Sequence, residues 1–116
     1  MHAVRVGRSL GLPDSALPLF LHQEGFIIWQ SLGFARLLGH HKRKLRGRSI
    51  IRFVTPECAP RAEAALRRPH LPSWLRLDLL HANGSKIPVE VRGEPAVVEG
   101  IEVRRVVVRV VEALNL

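Results

Sequence analysis

The chain has 116 residues, 47% of them apolar and 24% charged, and its 18 Lys and Arg against 10 Asp and Glu give a formal net charge of +8. That is about one domain's length with enough apolar material for one core, and a single cysteine, Cys58, excludes an internal disulfide framework or a multi-cysteine metal site. No run approaches the ~18 apolar residues of a membrane span and the opening residues do not read as a secretion leader, so the cytoplasm is the expected compartment.

Residues 1–16 carry Gly7, Gly11 and Pro13 without a sustained period and read as a lead-in with room for a short helix. From Leu17 two apolar runs flank His22-Gln23-Glu24-Gly25, a β-hairpin signal in which Gly25 supplies the positive φ. Pro18 lacks a backbone donor, which puts the start of the first strand at a sheet edge or outside the sheet. Ser31 suits the N-cap of a helix over Leu32–Leu38, with Phe34, Leu37 and Leu38 on one stripe and Gly39 closing it. His40–Arg48 is a basic connector ending at Gly47, and Ser49 caps a further turn with Ile50, Ile51 and Phe53.

Pro60 suits the first turn of another helix. Its body, RAEAALRR, is made of strong helix formers and presents Ala62, Ala65 and Leu66 inward before Pro69. Cys58, just ahead of it, has no resolving cysteine or base in view and reads as structural. Ser73–Ala82 and Ile87–Arg92 alternate apolar and polar residues around Asn83-Gly84, the strongest hairpin signal in the chain. Glu99-Gly100 turns into Ile101–Val111. There the apolar set switches from Ile101 and Val103 to Val106, Val108 and Val110, which predicts a bulge at Arg104-Arg105. The order β-β-α-α-α-β-β-β predicts an α+β domain over 17–112, one five-stranded antiparallel sheet with short helices covering one face, and a tail at 113–116.

These residues resemble a known family. The run GFIIWQSLGFARLLG, Gly25–Gly39, resembles the opening of a PAS domain: an apolar strand after a glycine, an Asn-x-Ala-like helix start and a Leu-Leu-Gly ending. Lys44–Ser49 resembles the family's Glu-Leu-x-Gly-x segment, Thr55-Pro56-Glu57 its His-Pro-Glu, and Arg61–Arg68 its next helix. His81–Ser85 followed by Ile87–Val91 is similar to its Asp-Gly-Ser hairpin and the strand after it. The resemblance implies a sensory or interaction module without catalysis of its own. Such a module dimerises and passes a ligand or partner signal to an output domain, a kinase or cyclase, in a longer parent. Ser31 stands in place of the family's Asn and Cys58 in place of its Asp, and the last strand lacks an Asp-Ile-Thr-like ending.

The resemblance names no cofactor. Flavin-adduct relatives need a cysteine before the Arg-Phe pair, and Arg52-Phe53 has none. Haem-binding relatives carry a histidine in the helix after Pro60, and this helix has none. A small apolar ligand would lie between helices and sheet, lined by Phe53, Leu66, Leu77, Leu79, Val89, Val91 and Val108 with Trp29 at the margin; by residue type these are first of all core positions. A dimer is expected through the first strand, the lead-in and the sheet surface.

Two other classes compete with that reading. His40, His41, Lys42, Arg43, Lys44, Arg46 and Arg48 form a basic patch that backbone phosphates would reward. It lacks the stacking aromatics of single-strand readers and is bounded by glycines, so a solvated face is the plainer reading and nucleic-acid binding the alternative. Adjacent His40 and His41 have no third ligand beside them, so no metal site is assigned. An enzyme is not expected either: no Ser-His-Asp set, phosphate-cradling glycine loop or carboxylate pair on one element occurs, and Asp14 and Asp78 have no evident acid-base partner.

Overall fold

The structure, a computed structural model, describes residues 17–68 and 70–111. The expected lead-in at 1–16 and tail at 113–116 lie outside these residues. Five strands and three helices follow one another: β1 (Leu19–Gln23), β2 (Phe26–Gln30), α1 (Leu32–Leu38), α2 (Lys42–Leu45), a 3-10 turn (Ile50–Phe53), α3 (Ala59–Leu66), β3 (Leu71–Leu80), β4 (Lys86–Val98) and β5 (Ile101–Val110). The strands form one antiparallel sheet in the order β2-β1-β5-β4-β3. This is the expected α+β architecture, and the helices cover one face of the sheet over the main core.

Local chemistry explains the joints. Glu24 and Gly25 both take positive φ, 51° and 90°, and Glu99 and Gly100 repeat the pattern at 50° and 77°; such turns match the right-handed twist of the strands they join. The Ser31 hydroxyl accepts from the Phe34 N–H at 3.1 Å and the Leu19 N–H at 3.0 Å, and donates to the Leu17 carbonyl at 2.7 Å. One side chain thus caps α1 and ties it to the start of β1. Gly39 closes α1 in the left-handed region at φ 71°, where a Cβ would also stand 2.4 Å from the His81 ring. The left-handed backbone favours glycine there, and a side chain would also have to displace the end of the His81 ring.

Three expectations are corrected. No bulge interrupts β5 at Arg104-Arg105, since its pairing with β4 runs unbroken from Val98↔Ile101 to Val89↔Val110. The apolar set switches because part of the far face is buried too: Val106 and Val108 join the main core, whereas Val103 joins Leu19, Leu21, Trp29 and Val98 in a second cluster on the far face. A bulge does occur in β2, where Leu21↔Trp29 is followed by His22↔Ile27, leaving Ile28 over. That extra residue reverses the alternation, so Trp29, expected at the pocket margin, faces away from the helices. Thirdly, His22 belongs to β1 and is buried rather than sitting in the turn.

β1 pairs with β2 on one side and β5 on the other. Pro18 precedes the strand and so lies outside the sheet, the second of the two placements expected for it, and β1 itself has no unpaired backbone edge. Element boundaries moved for a related reason. β4 runs on through Gly93 and Pro95 to Val98, because β5 pairs with it throughout while its pairing with β3 ends at Gly93. Beyond that point β4 has one open side, where a proline's missing donor is tolerated. The connector His40–Arg48 contains α2, whose Leu45 is fully buried against the core.

Candidate functional site

Beneath α3 the helices and sheet leave a cavity of about 50 Å³, lined mainly by aliphatic side chains. Five of the eight residues expected to line a pocket do so: Leu66, Leu77, Leu79, Val91 and Val108. Phe53 and Val89 lie in the same core away from the cavity wall, and Trp29 lies across the sheet. At roughly 30 Å³ per liquid water, the space holds one or two waters or a group of similar size.

Two polar side chains that the sequence reading did not single out reach this wall, His22 from β1 and Arg104 from β5. His22 is 2% exposed, and its Nδ1 accepts the Gly25 N–H at 3.0 Å. A neutral imidazole accepting at Nδ1 carries its proton on Nε2, and that buried Nε2 has no partner among the described residues. Burial first, then the charge of Arg104, lowers the His22 pKa from 6.5 to about 4; the ring is neutral at neutral pH and its Nε2–H is a donor.

Arg104 donates from Nη1 to the Ala65 carbonyl at 3.0 Å, near the C-terminal end of α3, a carbonyl that also accepts the Arg68 N–H at 3.1 Å. Its Nε is buried and unpartnered among the described residues. Burial, and secondly the charge of Arg68, holds its pKa below the usual guanidinium value. Gly93 makes the room: a Cβ there would lie 2.9 Å from Nε. Strand alternation carried the signal for both residues, since His22 lies two positions from Phe20, and Arg104 two and four from Val106 and Val108. Reading His22 as a turn residue and Arg104 as part of a bulge concealed it.

His22, Leu66 and Arg104 also border an open groove on the outside, together with Arg67, Arg68, Glu24, Glu102, Phe26 and Val97. They therefore form the wall between the interior and that groove.

The basic patch is different in kind. His41, Lys42, Arg43, Lys44, Arg46 and Arg48 are exposed. His41 caps α2, its Nδ1 accepting the Arg43 N–H at 3.2 Å, and half-buried His40 packs edge-on to Phe53 with ring centroids 5.3 Å apart. Cys58 is buried at the start of α3, and its sulfur accepts the Asp78 N–H at 3.4 Å. No helix among the described residues is long and apolar enough to cross a membrane.

No family model and no curated protein matches the chain. Solved structures do. The PAS domain of an HTR-like protein from Haloarcula marismortui superposes with a TM-score of 0.73 at 20% identity, over 85% of this chain and 84% of that one. A PAS domain from Desulfitobacterium hafniense gives 0.68 at 14% identity, over 82% and 92%. A PAS domain from a two-component sensor histidine kinase gives 0.69 at 10% identity, over 84% and 87%. What is shared at these identities is architecture, and by strand order, helix placement and superposition this chain has the fold of a PAS domain.

Proposed function

We propose that the domain is a sensory module that holds a small molecule between its helices and sheet and passes that state to an attached output domain, without catalysis of its own. The observation that carries the reading is the cavity under α3, bordered by a buried histidine donor without a protein acceptor. An unpaired buried donor costs about 1–3 kcal/mol, and a ligand that accepts from it removes that cost. The solved PAS domains with the same architecture include one from a sensor histidine kinase, which supports an output-bearing parent. β5 is the natural carrier, because it holds Arg104 at the site and leads toward the C-terminus.

Native mass spectrometry of the purified protein should show a non-covalently bound small molecule. Adding that molecule back to stripped protein should slow amide exchange at the end of β5. A ligand-free spectrum together with unchanged exchange in a metabolite screen would overturn the reading. Self-association is a second reading, favoured by Phe26, Val97 and Ile101, which are 54%, 54% and 53% exposed. Sedimentation at increasing concentration tests it, and a monomer throughout would remove it.

A further inference from the structure

Resting on the sensory reading above, we propose that the molecule held under α3 is apolar and gas-sized, of about two or three heavy atoms, the class to which dissolved dioxygen belongs. Three features of the cavity select that class.

The first is the wall. Phe20, Ala62, Leu66, Leu77, Val91 and Val108 present an almost wholly apolar surface to the space. His22 Nε2 and Arg104 Nε belong to bordering side chains, but both atoms have essentially no accessible surface. A buried water makes about three hydrogen bonds, and a cavity that offers none stays dry. A carboxylate, phosphate or hydroxyl inside would shed its hydration without replacement. An apolar molecule gives up nothing of that kind, and it gains dispersion contacts that an empty space forfeits.

The second is size. An engineered apolar cavity of about 150 Å³ takes benzene or xenon. The space under α3 measures about 50 Å³, about a third of that, and so has room for a diatomic or a single xenon atom but not for a ring. With so few atoms the affinity is millimolar at best, which suits an abundant solute and not a trace metabolite. The third is access. Leu66 is half-buried and lines both the cavity and the outer groove, the only aliphatic side chain among the described residues to do so. A Cβ at Gly25 would stand 3.0 Å from Leu66 Cδ1, so the glycine leaves that methyl room to turn. A rotamer change at Leu66, fast at a partly exposed position, joins groove to cavity without moving α3.

The experiment is methyl NMR of the full chain under increasing pressures of xenon, with helium at the same pressures as control. Dioxygen is tested in parallel, because its paramagnetism broadens the resonances nearest to it. The expected result is a saturable xenon shift and dioxygen broadening at the Leu66, Leu77 and Val108 methyls. Neither should appear at Leu19, Leu21 and Val103 in the far-face cluster. Benzene should leave the parent unchanged. Ala62→Leu fills the space and should abolish the xenon shifts while the far-face resonances stay in place. Leu77→Ala enlarges it and should admit benzene, a gain that mere loss of stability does not produce. Xenon shifts that helium reproduces, that fail to saturate or that appear equally in the far-face cluster would overturn the proposal. So would benzene binding to the parent, or xenon binding that survives in Ala62→Leu. The two readings fail separately. If the purified protein carries a larger molecule and xenon does not enter, the gas-sized assignment falls and sensing stands. If xenon enters as expected without altering amide exchange at the end of β5, the assignment stands and sensing falls.

Discussion

The chain has two cationic regions, and they behave in opposite ways. His40–Arg48 carries five Lys and Arg and two His within nine residues, nearly all exposed. Water hydrates each charge there, so the cluster needs no partner and its presence implies none. The His22–Arg104 corner has one permanent charge and one neutral ring, yet both have donors shut away from water without an acceptor among the described residues. Desolvation makes the smaller cluster the informative one. What distinguishes a site from a surface here is the cost of leaving a group unpaired, which the number of charges does not measure.

That contrast can be broken at the residue that anchors the basic segment. Leu45 is the buried side chain of α2, so Leu45→Ala should destabilise the fold by about 2–5 kcal/mol, as large-to-small core changes do. Urea denaturation reads the loss. A smaller cost than about 1 kcal/mol would mean that the segment is peripheral to the core.

Acid should strike the other region. His22 titrates near 4 in the folded chain against 6.5 for the free side chain, so the unfolded chain binds the extra proton between those values and stability rises with pH there. The contribution is whole above pH 6.5, drains as pH falls, and is gone below about 4. By the energy of a pKa difference this amounts to about 3 kcal/mol. Denaturation at pH 7.5, 5.5 and 4 should show it in the native chain and lose that part in His22→Phe; equal pH slopes in the two would refute it.

Replacing the charge alone should do less. Arg104→Met keeps the stem over Gly93 and removes a half-buried cation with its hydrogen bond to Ala65, so stability should change by about 1 kcal/mol, the net scale of one hydrogen bond. The His22 pKa should rise at the same time, because the charge that opposed protonation has gone. An NMR titration of the imidazole measures that, and an unchanged value would detach the two residues.

The smallest effects belong to the exposed charges. Lys42→Ala, Arg43→Ala and Lys44→Ala should each change stability by no more than about 0.5 kcal/mol. Nucleic-acid retention that falls steeply with salt in the parent and vanishes in the triple variant would reverse the contrast and make the patch the functional region.

Much of the fold was legible because its signals are local. Ser31, Gly39, Ser49 and the turns at Gly25, Asn83-Gly84 and Gly100 act over three or four residues of backbone, and they delimit the helices and hairpins observed. The candidate site was legible by half. Leu66, Leu77, Leu79, Val91 and Val108 declared themselves by apolar alternation. His22 and Arg104 share the same alternation but are polar, and polar residues in strands read by default as solvent-facing.

By itself the sequence determined the element order, the caps and turns, and the apolar faces that meet under α3, since each follows from short-range sterics and hydrogen bonding. Only the tertiary structure decided that part of the sheet's far face is also buried, that the bulge lies at Ile28 and not in β5, and that β1 lies inside the sheet. It also decided that His22 and Arg104, 82 residues apart in the chain, share one wall of one cavity. The reason is physical: which face a strand residue takes is set by the register and bulges of pairings between distant strands. A one-residue slip in either would put both donors in water and leave no site.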